Sequence, residues 1–333
     1  MTRLGGSTVG PCPSGPGRGR TGSWVLPVGA DPRLCGNKAA ALAKAGEAGL
    51  PTPGGFVISA DAFTTLVPVR DLAAPLRDAA GDGGVDLVLL RAVAERAATA
   101  IGSLTWPDAL VRELRGRLRG LGGPLAVRSS ATWEDTGAHS FAGQLSSVLG
   151  VTGERAVREA VAAVWASAFS PGAISQLLRA GAYEPGPVAV AVQPLVAAEL
   201  SGVAYSAHPV TGDPGVLVAE AVAGLAGPLV DGRVTPEHVE LDRSGRLLSR
   251  RPGRQHVVAA YDPAAGAVVE RSAEVDLGAR WFEPVHAALL RAEAAFGRPV
   301  DIEWCLSGDV NFTLIQVRPI THSAARPAPR RGR

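Results

Sequence analysis

Val300-Asp301-Ile302-Glu303-Trp304-Cys305-Leu306, then a Ser-Gly-Asp turn, then Thr313-Leu314-Ile315-Gln316-Val317-Arg318-Pro319, has the alternation of a β-hairpin with one apolar and one polar face. Strict period-2 geometry puts Asp301 and Glu303 on one side of the first strand and Ile302 and Trp304 on the other, while Gln316 and Arg318 share a face of the second. A tight connection at Gly308-Asp309 would set Asp301 opposite Gln316 and bury the apolar side. Two carboxylates, a carboxamide oxygen and a guanidinium then meet on one surface. Oxygen donors of this kind, Asp301, Glu303 and Gln316, suit Mg2+, and the adjacent Arg318 suits phosphate, so the hairpin is a candidate floor for a metal–nucleotide complex. Taken alone, the same pattern also fits the solvated face of an ordinary half-buried hairpin.

Composition narrows the context. A chain of 333 residues with 46% hydrophobic content can build two or three lobes with sizeable cores. Its 33 basic and 31 acidic residues leave a net charge of +2, which gives no global field toward nucleic acid or an acidic membrane. The three cysteines, Cys12, Cys35 and Cys305, match no CxxC metal spacing and no disulfide framework, which points to a reducing cytoplasm. The most apolar stretch, 188–205, is interrupted by Gln193, Pro194 and Glu199, so no transmembrane helix is expected there. The N-terminus lacks the continuous apolar region of a secretory signal.

Along the chain, residues 1–23 form a low-complexity Gly/Pro/Ser/Arg segment and residues 323–333 an Ala/Pro/Arg tail, both expected to be disordered. Gly17-Arg18-Gly19-Arg20-Thr21-Gly22 spells GxGxxG but follows no strand and opens no amphipathic helix, so it is a chance match. Order is expected to begin at Trp24-Val25-Leu26. A helix follows from Lys38 to Gly49, a short strand at Gly55-Phe56-Val57-Ile58, and Ala/Leu/Arg-rich helices over 71–120. Leu125-Ala126-Val127 is a buried strand entering a loop over 128–144, and 156–179 is helical with an interruption at Pro171. β-character dominates from Val188. These patterns predict an α/β (α+β) fold of two lobes, 24–186 and 187–322, divided at Gly186-Pro187.

Two further segments carry chemistry. Lys38 sits where a Gly-containing turn enters a helix, so its ammonium and the free helix N–H groups both attract phosphate. The GxxxxGK[ST] pattern is absent, and taken alone Lys38 fits a solvated helix residue better than a phosphate ligand. The segment Arg128-Ser129-Ser130-Ala131-Thr132, returning through Ser140-Phe141-Ala142-Gly143-Gln144, offers a charge, hydroxyls and backbone donors to a polyphosphate.

These pieces, in this order, resemble the N-terminal nucleotide-binding domain of the pyruvate, phosphate dikinase and phosphoenolpyruvate synthase family, which includes the rifampicin phosphotransferases. The resemblance rests on Gly36-Asn37-Lys38-Ala39-Ala40-Ala41-Leu42, on Val127 through Thr132 with Ser140 through Gln144, on Gln193 with Ser201-Gly202-Val203-Ala204, and on the terminal hairpin. It implies an ATP-grasp-like domain that closes two lobes on ATP and Mg2+. Lys38 and Arg128 would hold phosphates, with Ser129 beside them. Gly143 and Ser147 would line a covering loop, and Gln193 would lie beside the adenine. Glu303 and Gln316 would sit at the metal, with Arg318 against the transferring phosphoryl group; Lys38, Arg128 and Arg318 are then the catalytic set.

Departures accompany the match. Asn37 replaces a Gly usual before the Lys, and Asn tolerates left-handed backbone better than most residues. Ser147 stands where Thr is common. Gly224-Leu225-Ala226-Gly227 stands where the family usually has Gly-Leu-Gly-Glu, so the expected carboxylate is missing at Gly227. The resemblance implies a swivelling domain with a phosphorylatable His in full-length relatives, and Thr321-His322-Ser323, in the expected tail, is not expected to be that carrier. The resemblance therefore implies a separate His-bearing phosphocarrier protein as partner, with a small-molecule acceptor reached through it. Two alternatives stay open: a nucleotide-binding module without catalysis, and a ligase-like formation of an acyl phosphate.

Overall fold

The computed structural model describes residues 22–82, 85–133, 145–273, 275, 277–278, 281–308 and 311–320. In chain order the first part contains β1 (Val25–Pro27), α1 (Pro32–Glu47), β2 (Phe56–Ile58), α2 (Ala60–Leu66), α3 (Val69–Asp82), α4 (Leu87–Gly102), α5 (Asp108–Leu118), β3 (Leu125–Ala131), β4 (Ser147–Val151), α6 (Glu154–Ser167), α7 (Pro171–Arg179) and β5 (Val188–Pro194). The second contains β6 (Leu200–Tyr205), β7 (Val216–Ala223), α8 (Gly227–Val230), β8 (Glu237–Asp242), β9 (Leu247–Arg251), β10 (Val257–Asp262), β11 (Ala267–Ser272), α9 (Phe282–Phe296), β12 (Val300–Ser307) and β13 (Asn311–Pro319). Two antiparallel sheets result, one of order β1-β2-β5-β3-β4 and one of order β13-β12-β6-β7-β8-β9, with β10-β11 as a separate hairpin. The expected α/β (α+β) fold is present, built on two main sheets with separate cores.

Strand β5 shows why the first sheet forms. Its Val188, Val190 and Val192 face a large core containing Phe63, Trp165 and Phe169, while Ala189 and Ala191 face Cys35 and Ala39 of α1. The large side chains fill the helix-covered face, and the small ones let α1 lie close on the other. Trp165 stacks on Trp106 at 5.8 Å and donates its indole N–H to the Val188 carbonyl at 3.0 Å, so the bulkiest core group leaves no unpaired donor.

The second core lies between α9 and the six-stranded sheet. Val285, Ala288, Leu289 and Ala292 repeat with helical spacing on α9 and pack with Ile302, Trp304, Leu314 and Val317 of the hairpin. Trp281 and Trp304 stack at 5.5 Å. Leu42 and Ala45 of α1 join this core, and Leu314 donates its N–H to the Pro51 carbonyl at 2.8 Å. Helix α1 thus packs against both lobes.

Several elements differ from the sequence expectation. Val188–Pro194 hydrogen-bonds between β2 and β3, so it belongs to the first sheet although it follows Gly186-Pro187; pairing with Leu125–Ala131 outweighs the composition shift at that point. Arg128, Ser129 and Ser130 are strand residues of β3, not the start of a loop, because their backbones pair with Ala191, Val190 and Ala189. Gly36, not Asn37, takes the positive φ, at 77°, and kinks α1 just before Lys38. A Cβ at Gly36 would lie 1.7 Å from the Ser130 carbonyl oxygen, so only glycine fits. Treated as one helical run, Glu154–Arg179 has the length and apolar composition of a membrane span. It breaks between α6 and α7 at Ser170-Pro171 and buries Val157, Val161, Val164 and Ile174 in the first core. The proposed tails 1–23 and 323–333 fall, apart from residues 22 and 23, outside the described residues.

Candidate functional site

The register of the terminal hairpin sets the site. Asp301 pairs with Arg318 and Glu303 with Gln316, a two-residue displacement from the expected pairing. Three residues separate paired Ser307 and Asn311, which shifts the register by one, and a bulge between Glu303 and Trp304 shifts it by one more. One shift alone would have turned the polar groups into the core; together they restore the face. The bulge also sets Ile315 and Gln316 in succession against the same cleft.

That cleft, about 460 Å3, lies where the two sheets meet and is lined by Lys38 of α1, Arg128 of β3, Ser147 of β4, Gln193 of β5, and Glu303, Gln316 and Arg318 of the hairpin. Its volume is in the range of small-molecule and cofactor sites. A smaller recess beneath it brings Ser129 and Ala191 alongside Lys38, Arg128 and Gln316. Glu303 is the electrostatic centre of the floor: Arg318 Nη2 lies 3.3 Å from its Oε1 and Arg128 Nη1 3.8 Å from its Oε2. Gln316, almost fully buried, lays its carboxamide against the Arg318 guanidinium, a donor that only the carboxamide oxygen can accept from.

The opposite wall is held by hydroxyl and amide anchors. Ser130 donates to the Cys35 carbonyl at 2.7 Å and accepts from the Ala39 N–H at 3.0 Å, fastening the kink of α1 to β3. Lys38 follows that kink, its Nζ 3.4 Å from Ser129 Oγ. Ser147 sits directly across from Arg128 in the β3–β4 register. Gln193 donates to the Gly54 carbonyl at 3.0 Å, which fixes its side chain at the end of β5. Arg128 is therefore aimed from a strand, with a precision a mobile loop would lack.

Of the residues singled out from sequence, Lys38, Arg128, Ser129, Ser147, Gln193, Glu303, Gln316 and Arg318 come together at the cleft and the recess below it. Asp301 shares their strand face but lies two residues further along, opposite Tyr205 and Arg318, and does not line the cleft. Burial and the carboxylates of Asp301, Glu220 and Glu303 push the Tyr205 hydroxyl above its usual range, with Arg318 opposing. Gly143, His139 and His322 lie outside the described residues. Sequence reasoning missed the apolar end of the cleft, made by Leu195, Val196, Leu225 and Val230, and the carboxylate of Asp231 beside it. The sequence cues to that wall are Leu195-Val196, which directly follow Gln193-Pro194, and the Gly224-Leu225-Ala226-Gly227 segment, whose last three residues line the cleft.

The donor set bears on a divalent cation. Glu303 and Gln316 present oxygens across one rung, enough for Mg2+, which takes one or two protein oxygens and completes its shell with phosphate and water. Among the described residues no group of three or more His, Cys, Asp or Glu side chains could hold a metal without such help.

The chain matches the family model described as the pyruvate phosphate dikinase AMP/ATP-binding domain over residues 32–331. It is 32% identical to the phosphoenolpyruvate synthase of Aeropyrum pernix, an alignment covering 86% of this chain and 40% of that protein. It is 33% identical to a rifampicin phosphotransferase of Streptomyces, covering 82% and 32% respectively, and 33% identical to a probable phosphoenolpyruvate synthase of Archaeoglobus fulgidus, covering 90% and 41%. The chain thus spans well under half the length of these curated relatives. A solved D-alanine–D-alanine ligase from Bacillus anthracis aligns at TM-score 0.29 and 13% identity, covering 69% of this chain and 56% of that one, a likeness too slight to carry an argument.

Proposed function

Because this chain belongs to the pyruvate phosphate dikinase AMP/ATP-binding domain family, we propose that its cleft binds Mg·ATP and passes a phosphoryl group from it to a carrier histidine. The observation that carries this reading is the convergence of Lys38, Arg128 and Arg318, from three separate elements, around Glu303 and Gln316. Three fixed cations around an oxygen-donor pair suit phosphoryl transfer, which needs positioning and charge neutralisation more than covalent chemistry from the protein.

In this assignment Lys38 and Arg128 hold phosphate oxygens, Ser129 and Ser147 donate from the wall, and Gln193 lies beside the base. Glu303 and Gln316 hold Mg2+, which when bound neutralises phosphate charge. Arg318, at 3.3 Å from Glu303, is placed to follow the transferring group. Gly143 belongs to the same proposal as a backbone donor of the covering loop.

The carrier comes from outside the described residues, since His208, His238, His256 and His286 do not line the cleft. We assign it to a separate His-bearing swivelling protein, through which a small-molecule acceptor is phosphorylated. A cytoplasmic setting fits Cys35 and Cys305, which are buried as free thiols.

ATP labelled in its β-phosphate tests the proposal, incubated with the chain alone and with the isolated His-bearing domain of a phosphoenolpyruvate synthase. AMP release with acid-labile label on the added domain supports it. Label on this chain alone that vanishes in His322→Ala would make the tail the carrier. ADP with a new amide or ester would make the protein ligase-like, and no turnover in either arm would leave it a binding module.

A further inference from the structure

The cleft has a second carboxylate, at its apolar end. Of the described residues that line it, only Glu303 and Asp231 are acidic. Glu303 lies among the cations of the floor, whereas Asp231 follows Val230 and shares its end of the cleft with Leu195, Val196 and Leu225. An acidic group there repels polyphosphate and attracts hydroxyl or amine donors.

Asp231 is one helical turn beyond Gly227. Its N–H bonds to the Gly227 carbonyl at 3.0 Å, the spacing that stacks side chains at i and i+4 on one face. Position 227 itself is glycine, so it places no side chain on that face. A Cβ at Gly227 would meet nothing within 4 Å, and its φ is not positive, so that face is open.

Asp231 keeps acceptor capacity. Its described ion partner, Arg233, approaches at 3.4 Å, but the Arg233 guanidinium is gripped by both oxygens of Glu270, at 2.8 and 2.5 Å. With the carboxylate more than half exposed at the cleft mouth, one oxygen edge is available to a ligand.

We propose that Asp231 accepts hydrogen bonds from the vicinal sugar hydroxyls of the bound nucleotide, from the same open face of the turn that a carboxylate placed at 227 would occupy. The inference rests on the nucleotide reading above. A nucleotide whose phosphates meet Lys38 and Arg128 and whose flat base meets the apolar wall presents its sugar between them. Two carboxylate oxygens match two neighbouring hydroxyl donors, and charge-assisted bonds of this kind are the stronger class. Asp231 is a specificity-determining residue in this account, with no part in the phosphoryl step.

The test is calorimetric titration of the whole chain, with Mg2+, using ATP, 2′-deoxy-ATP and 3′-deoxy-ATP. Wild type is expected to bind ATP about tenfold more tightly than either deoxy analogue, the equivalent of one charge-assisted hydrogen bond at the lower end of its range. Asp231→Ala is expected to bind all three alike, at the level wild type shows for the analogues. Gly227→Glu in the Asp231→Ala background should restore the preference. Equal weakening toward all three nucleotides in Asp231→Ala, an unchanged preference, or no restoration by Gly227→Glu would overturn the assignment while leaving the nucleotide reading intact. Failure of wild type to bind ATP at all would remove both.

Discussion

Removing the guanidinium at position 128 should separate binding from stability. In the free protein the Arg128 side chain is 25% exposed, and its ionic partner, Glu303 at 3.8 Å, is 30% exposed. A partly solvated pair at that distance contributes about 0–1 kcal/mol. The backbone of position 128 keeps its pairing with Ala191 and Ser147 in the variant, so the sheet is not opened. Arg128→Ala should therefore lower the melting temperature by no more than about 4 °C. Against phosphate the same group forms charge-assisted hydrogen bonds worth about 1.5–3 kcal/mol, so the Kd for Mg·ATP should rise about 10- to 150-fold. Calorimetric titration paired with a thermal melt measures both. An unchanged Kd, or a melt far below wild type with binding intact, would show that Arg128 is a structural residue and refute the phosphate assignment.

Lys38→Ala is expected to raise the Kd over a similar range with little loss of stability, since its ammonium faces the cleft rather than the core and its hydrogen bond to Ser129, at 3.4 Å, is long. Gly36→Ala should lose on the order of 3 kcal/mol in urea unfolding, because a Cβ there meets the Ser130 carbonyl and the backbone φ of 77° suits glycine; a loss under about 1 kcal/mol would contradict the close approach of α1 to β3. Cys35 and Cys305 should resist alkylation at pH 8, since burial pushes their thiols up to about 11 and about 12 and holds them protonated below that range. Peptide mapping after iodoacetamide treatment decides, and rapid native-state labelling of either would contradict their burial.

Much of the site was legible because it is written in alternation and local turns. Asp301, Glu303, Gln316 and Arg318 share a face as period 2 requires, and Lys38 follows a Gly turn into a helix. Their partners were not legible. A three-residue connection and a bulge both depend on backbone geometry, and only their combination preserved the face. Asp301 drops out of the cleft for a simpler reason, since alternation sets a side and not a distance along the strand. Ser129 and Ser130 have the composition of a loop but pair as strand, because β5 lies beside them and Ser130 satisfies its hydroxyl on the α1 kink. Strands β8, β9 and β11 are short and largely polar, so their hydrophobic pattern is weak, and the apolar end of the cleft is assembled from residues that no single segment brings together.

The central claim is that the cleft holds a nucleotide through a metal at Glu303 and Gln316, and the most direct measurement is the ATP affinity of the full chain with Mg2+ and with chelator. The account predicts tighter binding with Mg2+ in wild type, and near-equal, weaker binding under both conditions in Glu303→Ala. Equal wild-type affinity with and without Mg2+, or a Glu303→Ala chain that keeps the full metal dependence, would contradict it.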